Sequence, residues 1–205
     1  MISDAGPLSR SPKPLFICAH GAGGHMDDRG MLRSAAALEQ AGLEVVRFNF
    51  AYRERGSRLP DPMPVLRQRF QEVVAGQRVE GRKLILGGRS MGGRVATMLA
   101  ADGFKCDGLL LLAYPLHPAG KPEKLRDAHL PRIQVPVLCF NGTKDKLCSR
   151  DLMERALQTV KAPWNMQWLE GADHSLGRER DLAYIRDAAR AWVSEVCNLR
   201  SNGYS

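Results

Sequence analysis

Three residues of the 205-residue chain stand in an order and in surroundings that acyl-transfer chemistry would use: Ser90, Asp145 and His174. An alcohol is a poor nucleophile at pH 7, so a serine that attacks a carbonyl needs a base to take its proton and later return it to the leaving group. Histidine suits that task near neutrality, and an acid beside it fixes the imidazole tautomer and stabilises the imidazolium. Ser90 lies in Gly88-Arg89-Ser90-Met91-Gly92, between the apolar run Leu84-Ile85-Leu86 and the small-residue run Val95-Ala96-Thr97-Met98-Leu99-Ala100-Ala101. A strand that turns sharply into a helix needs glycine two residues before and two after the serine, because a Cβ at either place would meet neighbouring backbone. Such an elbow lifts the hydroxyl off the strand end and aims first-turn N–H groups at a developing oxyanion. Met91 N–H is one expected donor. Ala22 N–H, in the loop His20-Gly21-Ala22-Gly23-Gly24, is the other.

Competing assignments exist for two of the three roles. Asp173 neighbours His174 and is a second candidate acid, its other role being to pin the histidine loop. His117, held between Pro115-Leu116 and Pro118, is expected as a pocket wall or a loop-fixing residue and is an alternative base. The expected pocket consists of His20, Gly21, Arg89, Tyr114 and His117. Within it His20 shapes the first loop through hydrogen bonds, and Arg89 either binds a substrate carboxylate or makes a structural salt bridge. His25 and His129 carry no signal.

These residues need a scaffold that gathers strand ends. Leu15 to Ala19 reads as a strand, and Asp27 or Asp28 caps a helix that runs through Leu38 and stops at Gly42. A second strand is expected over Glu44 to Phe50, followed by a polar loop from Ala51 to Pro64 and a helix over about Val65 to Gln77. After the elbow and its helix, Gly108 to Ala113 reads as a buried strand. Lys121 to Leu130 reads as a short helix or lid remnant, and Pro136 to Phe140 as another strand. Ser149 caps a helix to Val160, and Asn165 to Leu169 is the last strand. Leu182, Ile185, Ala189, Trp192 and Val196 then recur at helical spacing. Strand–helix alternation implies an α/β fold with about six mainly parallel strands in a three-layer α/β/α sandwich. In such a sheet, function gathers beyond the carboxyl ends of the strands, where Ser90, Asp145 and His174 all fall.

Length suits one domain, expected over 15–197 between an N-terminal arm at 1–14 and a tail at 198–205. The arm lacks the apolar segment of a signal peptide, and no apolar run approaches a membrane span, so no membrane partner is expected. Five widely spaced cysteines, Cys18, Cys106, Cys139, Cys148 and Cys197, form no C-x-x-C pattern. They read as free thiols of a reducing cytoplasm, and neither a metal nor another cofactor is expected. The net charge of +8 invites a nucleic-acid reading. Its arginines are scattered rather than striped, so a solvated basic surface is expected and no nucleic-acid partner. The cluster Arg53, Arg55 and Arg58 follows a strand and could attract anionic acyl groups to the cleft.

The chain resembles the α/β-hydrolases, and more narrowly a small dienelactone-hydrolase-like branch that includes a testis-expressed protein and a subunit of the non-specific-lethal chromatin complex. The resemblance rests on His20 to Gly24, Gly88 to Ala96, Tyr114-Pro115-Leu116-His117-Pro118 through Lys121-Pro122-Glu123-Lys124-Leu125-Arg126, Gly142-Thr143-Lys144-Asp145 and Gly171-Ala172-Asp173-His174. It spans roughly Leu15 to Trp192 and implies a minimal α/β-hydrolase fold, whose usual eight strands are expected here to be reduced to six, without a cap domain. Dienelactone hydrolases use cysteine where this chain has Ser90, so their substrate does not transfer. The expected function is cleavage of small-molecule carboxylic esters or thioesters through an acyl-Ser90 intermediate. The alternative is a non-catalytic binding or scaffold module on the same fold.

Overall fold

The structure, a computed structural model, describes residues 12–198. The arm expected at 1–14 and the tail expected at 198–205 lie largely outside these residues. Six strands form one sheet: β1 (Leu15–Ala19), β2 (Glu44–Phe48), β3 (Leu84–Arg89), β4 (Gly108–Leu112), β5 (Val137–Gly142) and β6 (Trp164–Leu169). Their order is β2-β1-β3-β4-β5-β6, and every neighbouring pair is parallel. The chain therefore steps one way from β1 to β2 and the other way from β3 onward, which puts the reversal between β1 and β3.

Alternation of side chains along the central strands feeds two separate cores. Ile17, Leu86, Leu109, Leu111 and Cys139 face the layer made by α3 (Met63–Gln77), α4 (Met91–Ala101) and α5 (Arg150–Leu157). Phe16, Ile85, Leu110, Leu138 and Phe140 face α1 (Arg29–Gln40) and α6 (Glu179–Asn198), where Ile185, Ala189, Trp192 and Val196 form the buried stripe. The result is the three-layer sandwich expected from the strand–helix alternation. Among the described residues, no helix is long and apolar enough to cross a membrane.

Local departures from the expected elements each have a tertiary cause. Strand β2 stops at Phe48 because the Phe50 N–H donates to His20 Nε2 rather than to a strand neighbour. The chain then turns into α2 (Ala51–Glu54), a short helix inside the expected loop, with Tyr52 fully buried. Lys121 to Leu130 is not helical. Arg126 N–H bonds back to Leu116 O and the Tyr114 hydroxyl donates to Arg126 O, so the segment folds onto Tyr114 and ends in a 3₁₀ turn at Leu130–Arg132. No cap domain interrupts the connection from β4 to β5. Asp28 is the N-cap of α1 by position, but its carboxylate accepts the His25 N–H instead of a helix amide.

Candidate active site

Ser90 occupies the turn between β3 and α4 with φ of 48° and ψ of −115°, a conformation that costs on the order of 1–3 kcal/mol for a residue with a Cβ. Its N–H donates to Leu112 O on β4, 2.9 Å away, which helps hold the strained residue in place. The flanking glycines explain themselves. A Cβ on Gly88 would come within 2.0 Å of Ala19 O, and one on Gly92 within 2.4 Å of the same atom. The elbow thus packs directly against the carboxyl end of β1, beside the sheet reversal.

The loop after β1 is built from beneath. His20 is fully buried; its Nε2 accepts the Phe50 N–H, so the ring proton sits on Nδ1 and is donated to Gly21 O at 2.7 Å. Burial holds the pKa of His20 below its ordinary value, which favours this neutral form. The Tyr52 hydroxyl donates to Ala22 O at 2.7 Å and fixes the next peptide. Among the described residues, neither the Ala22 nor the Met91 N–H is taken up by a hydrogen bond. Met91 is the first residue of α4, where helical geometry leaves the amide free.

Asp145 follows β5 in a tight turn, its side chain 0% exposed. Its Oδ1 accepts the Leu147 N–H at 2.8 Å, and its Oδ2 accepts the Asn141 side-chain amide at 3.3 Å and His174 Nδ1 at 2.8 Å. His174 follows β6, and its side chain is 34% exposed, so one edge is sheltered and the other open. The approach of the two turns depends on Gly142, where a Cβ would meet Ala172 O at 2.1 Å. Asp173 points away from this pair: it is exposed, and its Oδ1 accepts the N–H and hydroxyl of Ser175. These bonds hold its carboxyl below the usual carboxylate range.

Asn141 supports the candidate site, and sequence reasoning missed it. It ends an otherwise apolar strand, and its amide exchanges hydrogen bonds with the Tyr114 peptide, 3.1 Å in each direction, while also reaching Asp145. The only signal was a polar residue closing Val-Leu-Cys-Phe four positions before the acid. Tyr52 was missed because it lay inside an expected loop.

Two cavities meet at Ser90. One, of about 470 Å³, is lined by Gly21, Ala22, Arg89, Ser90 and His174 among others. The other, of about 500 Å³, is lined by Ala22, Met63, Leu66, Ser90, Met91, Arg94 and Arg126 among others. Among the described residues no side chain holds Ser90 Oγ in a hydrogen bond, leaving the hydroxyl free to rotate toward either space.

Three residues expected at the pocket are instead in the support beneath it. His20 and Tyr114 are fully buried, and His117 is 5% exposed, bonding Pro118 O through Nδ1 and accepting the Ser149 N–H at Nε2. Each follows a strand end, as expected, but its side chain turns inward. Gly21 and Arg89 do line a cavity. Among the described residues Arg89 makes no salt bridge: its guanidinium donates to Ser34 Oγ at 3.1 Å and to the carbonyls of His174 and Ser175, tying the elbow to α1 and to the histidine loop. Arg53 and Arg55 do not face the cavities; Arg55 pairs with Asp61 at 2.6 Å and Arg53 donates to Ser57 O. Among the described residues, no group of three or more His, Cys, Asp or Glu side chains is arranged to hold a metal ion.

Comparison with known proteins agrees with this architecture. The sequence model of the Alpha/beta hydrolase domain family matches residues 12–197. Ferulic-acid-bound Est1E from Butyrivibrio proteoclasticus is similar in structure with a TM-score of 0.74 at 17% identity, covering 92% of this chain and 93% of that one. A serine hydrolase homologue from Coxiella burnetii gives 0.73 at 20% identity over 90% and 87%. Dienelactone hydrolase from Anabaena variabilis gives 0.68 at 20% identity over 89% and 86%.

Proposed function

The chain belongs to the α/β-hydrolase domain family, and on that premise we propose that it is a serine hydrolase cleaving carboxylic esters or thioesters through an acyl-Ser90 intermediate. The observation that carries this reading is the 2.8 Å contact of His174 Nδ1 with a fully buried Asp145 carboxylate, with His174 and Ser90 lining one cavity. Esterases and serine hydrolases among the structural neighbours support hydrolysis as the reaction class.

The steps follow from the tautomer. An ionised Asp145 only accepts hydrogen bonds, so the proton shared with it sits on His174 Nδ1 and Nε2 is left as a base. Ser90 Oγ attacks the acyl carbon while its proton passes to Nε2, and the carbonyl oxygen becomes an oxyanion held by the Ala22 and Met91 N–H groups. As the tetrahedral species collapses, the bond to the leaving oxygen or sulfur breaks and Nε2 returns the proton to it. Water then repeats the sequence on the acyl-serine, releasing the acid and restoring Ser90. Leu116, His117 and the segment through Arg126 suggest placement in the dienelactone-hydrolase-like branch, and five free thiols suit a reducing cytoplasm.

Turnover of 4-nitrophenyl acetate and butyrate by the purified protein tests this. Ser90→Ala is expected to stay folded and to lose roughly 10³-fold or more of the rate. Unchanged turnover in that variant contradicts the assignment.

A further inference from the structure

The wall of the larger cavity carries cations with no partner. Arg94 and Arg126 both line it, and among the described residues neither guanidinium makes a hydrogen bond or an ion pair. Arg94 Nε is buried without any acceptor. Several other arginines are paired with carboxylates: Arg67 with Asp102, Arg82 with Glu44, Arg178 with Asp181. Arg94 is half-buried, burying a guanidinium N–H without an acceptor is costly, and here the Arg126 charge repels it as well. Asp61, the acid on this wall, bonds Arg55 through Oδ1, while its Oδ2 is buried without a donor, so the two arginines outnumber one carboxylate around this space.

The position of these cations relative to the reaction is defined. Arg94 lies in the first turn of α4, its N–H donates to Ser90 O at 3.1 Å, and both residues line the same cavity. The leaving group must lie against His174, which receives and returns the proton, and His174 lines the smaller cavity. The larger cavity contains both expected oxyanion donors and not His174, so it is where the acyl chain extends.

Resting on the serine-hydrolase reading above, we propose that the substrate's acyl group carries an anionic group, a carboxylate, which Arg94 and Arg126 bind in the acyl cavity. The substrate class is therefore half-esters or half-thioesters of short dicarboxylic acids. A planar guanidinium pairs with a carboxylate through two parallel N–H bonds, giving Arg94 the acceptor it lacks. The sequence pointed to arginines near the cleft, but chose Arg53, Arg55 and Arg58, of which Arg53 and Arg55 are engaged by Ser57 O and Asp61.

The test compares ethanol release from monoethyl glutarate and from ethyl 4-carbamoylbutanoate, which differ only in carboxylate against neutral amide. The wild-type protein should prefer the carboxylate ester by about tenfold or more in kcat/KM, and the preference should shrink with added salt. In Arg94→Met and Arg126→Met the ratio should fall toward one, with Arg94→Lys retaining part of it. A wild-type ratio near one, or a ratio unchanged in both methionine variants, overturns the proposal. If Arg94→Met does not fold, the wild-type ratio and Arg126→Met decide. Glutarate should also slow fluorophosphonate labelling of Ser90 while glutaramide does not. Labelling without turnover of either ester and without glutarate protection overturns the proposal, whereas absence of both labelling and turnover overturns the hydrolase reading itself.

Discussion

The Asp145 carboxylate is held out of water by a full set of donors: the Leu147 N–H, the Asn141 amide and His174 Nδ1. Replacing it with Asn puts an amide where only acceptors fit and favours the imidazole tautomer that cannot serve as base. Asp145→Asn is expected to lower kcat for a 4-nitrophenyl ester by roughly 10³–10⁴-fold with the fold intact by circular dichroism. Asp173→Asn should change it only a few-fold, since Asp173 is exposed and occupied with Ser175. A reversed pair of effects assigns the acid to Asp173 instead. At this scale the sequence made Ser90, Asp145 and His174 legible because motif, order and strand ends agree. It could not show which way a side chain leaves a strand end, so His20, Tyr114 and His117 were placed in the pocket they in fact support from below. Asn141 was illegible for a related reason: its role comes from touching the Tyr114 peptide on the adjacent strand.

At the scale of elements, the elbow was readable because sterics leave one solution, with Gly88 and Gly92 both pressed against Ala19. The connection from β4 to β5 was not, because it is shaped by long-range bonds to buried side chains. His129 is one anchor of that connection. Thr97 donates its hydroxyl proton to Arg94 O, so its oxygen accepts from His129 Nε2 at 2.9 Å, pinning the 3₁₀ turn to α4. Burial pushes the His129 pKa down to about 4, aided by the nearby Arg94 and Arg132 against the weaker pull of Asp102 and Asp127. The unfolded chain takes up this proton from its ordinary value of 6.5 downward, so the site's full stabilisation is present above 6.5 and is lost as pH falls toward 4. The loss is on the order of 2 kcal/mol, discounted for the part of the ring that solvent reaches. Urea unfolding followed by tryptophan fluorescence at successive pH values should show His129→Gln less acid-sensitive than wild type over this window. Parallel pH curves would contradict the assignment.

For the whole molecule, the sheet reversal between β1 and β3 does the organising. It places the Ala22 loop on one side of the elbow, while β5 and β6 bring Asp145 and His174 in from the other. The alternation of strands and helices made this layout legible from the sequence, and the two cores on either side of the sheet complete it. The distribution of charge was less legible: a net +8 says nothing about which arginines find carboxylates, and that outcome leaves Arg94 and Arg126 lining the cavity of about 500 Å³ beside Ser90. The central claim is that Ser90 is an activated nucleophile assembled by parts from four strand ends. Fluorophosphonate labelling read by intact mass tests it most directly, with Ser90→Ala and His174→Ala as controls. The account predicts one stoichiometric adduct in the wild type and none in either variant; a folded wild-type protein that takes no adduct would contradict it and leave a binding module on a hydrolase fold.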